Sequence, residues 1–355
     1  MFLAWNEIKN NKLRFLLVTG VLVLISYLVF FLSGLANGLE QLNREAVDKW
    51  EADGIILTEE ADLRLQQSIL SADDFDGNGV DEYTELTQLS AIASNGTEKE
   101  NVYIFAVKED SFIMPAVTEG NVFMDAGEVI ADDTLKENGF AIGDELSLSS
   151  TDETLEIVGF TDKARFNAAP VLFTDRNTLE TLQYGETVEE ADDAVNAFVI
   201  RTDNLGRVET DEALQVVDTE IFIKNLPGYT EQNLTLTWMI YFLFIISAVV
   251  LAIFLYVLTI QKISIFGVMK AQGISSGYLA RSVIGQTFLL SLAGVWIGVV
   301  LAVVTGLFLP AAVPVAFNYI EMLIYGIVLI AVSVIGAFIS VQTIVRIDPL
   351  KAIGG

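Results

Sequence analysis

The chain has 355 residues, is 52% hydrophobic, and carries a formal charge of −27 with neither histidine nor cysteine. The missing residue types exclude disulfides, a lipid-anchored cysteine, thiolate or imidazole metal sites and Ser-His catalysis. No G-x-x-x-x-G-K-[ST] run occurs, so the chain has no phosphate loop of its own, and an acid excess without a basic patch argues against nucleic acid.

Acid and oil occupy different parts of the sequence. Of the 47 acidic residues, 44 lie within Ala36–Thr235 together with 12 of the 20 basic ones, so that segment carries −32 and the remainder +5. Four charge-free windows outside it, Phe15–Leu35, Leu236–Ile260, Thr287–Leu309 and Met322–Val345, are each long enough to cross a bilayer, which takes about 20 apolar residues. The predicted fold class is therefore a membrane α-helical protein of four transmembrane helices with an α+β extracellular domain inserted between helices 1 and 2.

In chain order, residues 1–14 place Phe2, Trp5 and Ile8 on one face beside Lys9 and Lys12, which predicts a cytoplasmic interfacial helix. Residues 15–35 form the first span. A cleavable signal peptide is the competing reading of this stretch, but its apolar run exceeds the usual ~7–15-residue core, which favours an uncleaved anchor. Leu35, Leu39, Leu42, Ala46 and Trp50 continue at helical spacing, predicting a stalk that runs out of the span and ends at Asp53-Gly54.

The acidic domain, residues 36–235, alternates strand-like runs with short helical stretches. The strands are "GIILT", "NVYIFAVK", "GEVIAD", "ELSLS", "TLEIVGFT", "APVLFTD" and "NAFVIRT", and Asn95-Gly96 signals a hairpin turn. Helices are predicted near Asp133–Asn138, Arg176–Leu182 and Asp211–Val217. Within the domain, "DFDGNGVDEYTE" fits the spacing of a calcium loop. Asp74, Asp76 and Asn78 would supply side-chain oxygens, Val80 its carbonyl and Glu85 a bidentate carboxylate, around a turn at Gly79. A solvated acidic turn is the plainer reading, since Asp81 replaces the usual apolar residue and no second loop accompanies it.

After the second span (236–260) comes the loop 261–286, whose "FGVMKAQGISSGYLARS" is basic and glycine-bearing. Span three (287–309) spaces Gly294, Gly298, Ala302 and Gly306 at four-residue steps, a small-residue ridge suited to close helix packing in lipid. The connection 310–321 has no basic residue; span four (322–345) follows, then the tail 346–355. Lys9, Lys12, Arg14, Lys262, Lys270, Arg281, Arg346 and Lys351 flank the spans on one side, which predicts cytoplasmic termini and an extracellular acidic domain. The setting implied is a bacterial plasma membrane.

Three stretches carry a family resemblance: "FLAWNEIKNNKLRF", "GVMKAQGIS" and "RIDPLKAIG". With "DTLKENGFAIGDELSLSSTDETLEIVGF" in the outer domain, the chain resembles the FtsX/MacB-type permeases of ABC transporters, most closely the four-span HrtB hemin-exporter and DevC-like permeases. The resemblance implies two permease copies with two separate ATPase subunits that hold ATP and Mg, and no catalytic residue or cofactor in this chain. It assigns ATPase coupling to Gly267, Lys270, Ala271, Gly273 and Ser275, with Gly273 ending one helix and Ser275 or Ser276 capping the next. ATPase closure would then move the outer domain through the stalk.

The implied activity is outward movement of a hydrophobic or amphiphilic small molecule, hemin first. Phe30, Phe31, Trp50, Met239 and Tyr241, with Trp238, are candidates to meet it, although an interfacial aromatic belt accounts for the same residues. Without histidine, hemin iron would need another ligand or none. Two further readings are an FtsX-like mechanotransducer controlling a cell-wall hydrolase and a sensor of an extracellular peptide or antibiotic.

Overall fold

The computed structural model describes residues 12–185, 194–261, 263–310 and 313–345. Phe2, Trp5, Ile8 and Lys9 of the expected interfacial helix, the flanking Lys262, and the tail with Arg346 and Lys351 lie outside the described residues. The chain divides into two compact units: residues 39–232, and residues 1–38 with 233–355.

Helix α1 (Lys12–Lys49) is unbroken for 38 residues, so the apolar span and the predicted stalk are one helix. It stops at Trp50-Glu51, where Glu51 takes a positive φ of 46°. The unit 39–232 then continues through β1 (Gly54–Thr58), β2 (Leu70–Ser71), β3 (Glu82–Ser94), β4 (Lys99–Ala106), β5 (Glu119–Gly120) and β6 (Glu128–Asp132). The short helix α2 (Thr134–Glu137) leads into β7 (Glu145–Leu148), β8 (Thr154–Thr161), β9 (Arg165–Phe166) and β10 (Ala169–Thr174). Helix α3 (Arg176–Tyr184), β11 (Ala194–Val195), β12 (Ala197–Arg201), β13 (Leu214–Asp218) and α4 (Thr219–Lys224) complete it.

Its main sheet is mixed, in the order β13-β1-β12-β3-β4-β10-β6-β8-β5, with β7 bridging β3 and β8. Successive strand residues serve two separate cores because side chains alternate across a pleated strand. On β4 and β10, Phe105, Val171 and Phe173 enter a core with Trp50 of the stalk end and Phe222 of α4. Their neighbours Ile104 and Leu172 enter another with Leu135 of α2 and Leu179 of α3. With both faces covered, these strands read as nearly continuous apolar runs. Each fully buried Phe, Leu or Ile contributes about 1.5–3 kcal/mol.

Two sequence expectations change here. The stretch predicted as helix Asp211–Val217 instead ends in β13, where Ile55 faces Val217 and Ile56 faces Val216 across an antiparallel ladder with β1. Pairing along a sheet edge outweighed the helical propensity of "DEALQ". The calcium loop runs into the thirteen-residue β3, a strand that the loop reading obscured.

The second unit holds the first part of α1 with α5 (Tyr229–Ile260), the short α6 (Ile263–Ala271), α7 (Ser276–Phe308) and α8 (Tyr319–Val345). Helices α1, α5, α7 and α8 are each long and apolar enough to cross a membrane. Val29 and Phe30 of α1, Ile240 of α5, Val295 of α7 and Met322 of α8 share one buried cluster. The fold class expected from the sequence, four apolar spans with an α+β domain between the first and second, is the one observed.

Candidate functional site

The segment between α5 and α7 is a compact helix–turn–helix. Helix α6 ends in a Schellman arrangement: Ile274 N–H donates to the Met269 carbonyl at 3.0 Å and Gly273 N–H to the Lys270 carbonyl at 3.0 Å. Gly273 has φ +90°, and a Cβ added there would meet no atom within 4 Å. Conformation alone, not crowding, calls for glycine at this position. Ser275 is the N-cap of α7, its Oγ accepting from Tyr278 N–H at 3.3 Å, a contact worth about 1 kcal/mol.

Phe266 and Leu279 are buried against each other, with Met269, Ile274 and Val283 packed around them, so α6 is clamped onto the first turns of α7. Gly267 is buried on the same side, Lys270 is half-buried, and Ala271 and Gln272 are exposed. Ile265, Val268 and Tyr278 are 57%, 45% and 51% exposed, giving the clamped element an outward apolar face. The five residues assigned to coupling thus fall in two groups: Gly267, Gly273 and Ser275 shape the element, while Lys270 and Ala271 stand on its last helical turn.

The small-residue ridge of α7 lies against α1. A Cβ on Gly294 would sit 2.7 Å from Leu22 Cβ, and one on Gly298 would sit 2.1 Å from Ser26 Oγ and 2.9 Å from the Tyr27 nitrogen. Ser26 Oγ also lies 3.1 Å from the Gly294 carbonyl, a hydrogen bond that only this close approach permits. Ala302 is fully buried, and a Cβ added to Gly306 would sit 2.6 Å from the Phe317 ring.

The sequence reading missed a matching ridge on α1. Gly34 faces Phe317, Gly38 faces the Pro314 carbonyl, and Ala316 N–H donates to the Gly34 carbonyl at 2.9 Å. The α7–α8 connection is therefore strapped along α1. The signal was present in "SGLANG", whose glycines stand four apart.

Residues 237–349 match the FtsX-like permease C-terminal family. That stretch is similar to the C-terminal part of FtsX-like permeases. A permease protein of Staphylococcus epidermidis named HrtB for hemin transport is 28% identical over 357 residues, covering 100% of this chain and 99% of the relative. An uncharacterised ABC transporter permease of Mycobacterium tuberculosis is 26% identical over 366 residues, covering 100% and 99%. Among solved structures, the extracellular domain of the ABC-type transporter YknZ aligns at TM-score 0.35 and 13% identity, over 47% of this chain and all of that one. The periplasmic region of MacB from Actinobacillus actinomycetemcomitans aligns at TM-score 0.34 and 12% identity, over 48% of this chain and 89% of that one.

Of the four apolar helices, α5 has the smallest buried share. Trp238, Met239 and Tyr241 are 57%, 48% and 49% exposed, and Trp238 meets Tyr241 edge-on at 5.9 Å. Phe31 is half-buried and stacks on Tyr27 at 5.9 Å. Two of the substrate candidates must be withdrawn. Phe30 is 0% exposed inside the helix cluster, and Trp50 is 2% exposed in the outer-domain core beside Phe105. An aromatic residue fills a buried core as readily as it meets a ligand, and here packing claimed both.

The calcium reading is also corrected. Asp74 caps a short turn by accepting from Ser71 N–H at 2.7 Å, and Asp76 accepts from Asn78 N–H at 3.2 Å. Glu85 sits on β3 opposite Phe198 and pairs with Lys108 at 2.8 Å and Arg176 at 3.3 Å. Its carboxylate is engaged by these two cations, and among the described residues no group of three or more acids is placed to hold a metal ion. A calcium loop needs its last glutamate at the start of a helix; this one stands in a strand.

The last turns of α1 are tied into the outer unit by polar bonds that the sequence does not reveal. Glu45 takes a two-pronged bond from Arg165 at 2.7 and 2.9 Å. Lys49 pairs with Asp162 at 2.9 Å, Arg44 with Glu220, and Tyr229 donates to Glu40 at 2.7 Å. Asn167 and Ala168 donate their backbone N–H groups to the Asn43 and Leu42 carbonyls. Burial would lower the Arg165 pKa; the bonds and charge of Glu45, then Asp132 and Asp133, raise it instead. Beside this joint lies a cleft of about 310 Å³ lined by Leu65, Gln88, Tyr103, Phe166, Asn167 and Leu226. Gln88 is 5% exposed and its Oε1 has no hydrogen-bond partner.

Proposed function

We propose that this chain is the permease subunit of an ABC exporter that moves a hydrophobic or amphiphilic small molecule outward, with hemin as the first candidate. The observation that carries the reading is the clamped α6–α7 element with its exposed apolar face. A partner ATPase docking there pushes on a piece that cannot yield by slack, because Phe266, Leu279 and the Gly273 turn lock it to a spanning helix. Two ATPase copies would serve two permease copies, and the open flank of α5 from Trp238 to Val257 is the surface available to the second copy or to lipid.

Motion of α1 would reach the outer domain through Glu45–Arg165 and Lys49–Asp162, which sit on the same continuous helix as the first span. Two places suit an amphiphile: the aromatic flank at Trp238, Met239 and Tyr241, and the cleft of mixed lining, with Arg64, Gln67 and Asn167 beside Phe166 and Leu226, where Gln88 has an unpaired amide oxygen. The charge asymmetry of the sequence supports cytoplasmic termini in a bacterial plasma membrane. Hemin transport is what the staphylococcal relative is named for, and that name supports the substrate suggestion.

The test is ATP-driven efflux from proteoliposomes containing this chain and its partner ATPase. Export of hemin or another amphiphile supports the reading. ATP hydrolysis with no movement of any amphiphile, but with an altered outer-domain protease pattern, would favour a mechanotransducer controlling an extracellular hydrolase.

A further inference from the structure

The cleft beside the stalk joint, about 310 Å³, has no acid in its lining. In a segment that carries 44 acids and 12 bases, its one charged lining residue is Arg64, which is exposed and forms no salt bridge among the described residues. Gln88 lies in the wall, 5% exposed, and its Oε1 is bonded to nothing. A buried amide oxygen without a partner is destabilising, and a leucine of similar size would fill the place without that cost. Its presence at a cavity wall points to a donor that arrives from outside the fold.

The surrounding loops are held in a costly shape. Asp62 and Leu63 take φ of 48° and 59°, and Asn167 and Ala168 take 48° and 65°. These are four of the six non-glycine residues with positive φ among the described residues, and strain of this kind gathers at ligand clamps. Asn167 and Ala168 are also bonded to the Asn43 and Leu42 carbonyls of the stalk, while Leu226 and Pro227 stand just before α5. An occupant of the cleft therefore touches both chain segments that lead to the first two spans.

Three features set the ligand class. Arg64, with the nearby Gln67 amide, suits a carboxylate. Gln88 Oε1 needs an N–H or O–H donor. Leu65, Phe166 and Leu226, at 4%, 4% and 5% exposure, provide an apolar surface. A carboxylate, an amide N–H and an apolar side chain occur together in an N-acyl amino acid, and the same unit ends a peptide chain. The volume is at the small end of the ~300–1,000 Å³ range of ligand sites, which matches so small a unit. At about 0.15 M salt charges are screened over roughly 8 Å, so the lining of the cleft outweighs the net charge of the domain.

We propose that this cleft binds an apolar N-acyl amino acid, free or as the last residue of a peptide, with Arg64 on its carboxylate and Gln88 on its amide N–H. The inference names a class of amphiphile for the cleft and rests on the export reading for its role in transport.

Full-length protein in nanodiscs of zwitterionic lipid, without the ATPase, is titrated under saturation-transfer NMR. N-acetylleucine should bind. N-acetylleucine amide, which lacks the charge, and 4-methylpentanoate, which lacks the N–H, should each bind about tenfold more weakly. Arg64→Gln, at an exposed position that leaves the fold intact, should weaken N-acetylleucine about tenfold and abolish its advantage over the amide. Gln88→Leu should abolish the advantage over 4-methylpentanoate and melt no lower than the parent, because it removes a buried oxygen that has no partner. N-acetyl-Ala-Ala-Leu binding as well as N-acetylleucine would support the site and identify a peptide end; binding of N-acetylleucine alone would support it and identify the free acyl amino acid. Equal binding of the three small compounds, or unchanged affinity in both variants, overturns the proposal. A Gln88→Leu protein that melts lower than the parent overturns the Gln88 contact, since the fold itself would then need the amide. In proteoliposomes with the ATPase, selective binding without efflux of any amphiphile would keep the site and remove the export reading. Efflux of an amphiphile without selective binding would keep export and remove the site.

Discussion

Gly298→Ala puts one methyl group into the closest contact between α1 and α7. The new Cβ would lie 2.8 Å from Ser26 Cβ and 2.9 Å from the Tyr27 nitrogen, whereas relaxed contacts of this kind begin near ~3.5 Å. Ser26 Oγ, at 2.1 Å, can rotate away, but the backbone of Tyr27 cannot. The helices must separate by roughly half an ångström or more, which stretches the Ser26–Gly294 hydrogen bond and costs about 1–3 kcal/mol in packing. Alanine also favours a helix by about 1 kcal/mol over glycine, which would mask part of this loss. Gly285→Ala on the same helix supplies the correction, since its Cβ meets nothing within 4 Å. Unfolding of both variants in micelles, followed by tryptophan fluorescence in denaturant, should place Gly298→Ala about 1–3 kcal/mol below Gly285→Ala. Equal stability of the two would show that α1 and α7 do not approach as described.

Three other outcomes follow from the same geometry. Gly273→Val places a β-branched residue at φ +90°, costing about 1–3 kcal/mol locally; insertion should be intact while ATP hydrolysis by the partner no longer drives efflux, and unchanged coupling would return the turn to a passive role. A double-mutant cycle with Glu45→Ala and Arg165→Ala should give a coupling of about 1–3 kcal/mol, because the two-pronged pair is only 11% and 23% exposed; additive losses would refute a firm stalk joint. Two other acids, Asp133 beside Arg165 and Asp162 paired with Lys49, should respond to pH in opposite ways. Burial, then the charges of Asp132 and Asp162, raise the Asp133 carboxyl, so its ionisation weakens the fold as pH rises through the folded value. Asp133→Asn should gain stability at pH 7 and nothing below about pH 4. The Lys49 hydrogen bond lowers the Asp162 carboxyl, so its contribution is present above the unfolded value and lost as pH falls through the folded one. Asp162→Asn should lose stability at pH 7 and converge with the parent in acid. Melting curves across pH that ran parallel for both variants would refute the assignment.

Much of this protein is legible before any coordinates. Lipid demands long uncharged runs and water tolerates acids, so the four spans and the acidic insertion separate by composition alone. The Gly273 turn and the Ser275 cap are equally local, since each depends on residues a few positions away. The strap along Gly34 and Gly38 and the Glu45–Arg165 joint join residues more than a hundred positions apart. A sequence reading has no access to such pairings. The same limit explains the errors. Trp50 and Phe30 are aromatic residues near the level where an amphiphile could enter, Glu85 has the spacing of a calcium ligand, and "DEALQVV" the propensity of a helix. In each case the chain met a distant partner, a core, a lysine–arginine pair or an edge strand, whose contact energy exceeded the local preference. Short-range rules determined what each segment could become; long-range packing, which no spacing encodes, decided what each side chain faces.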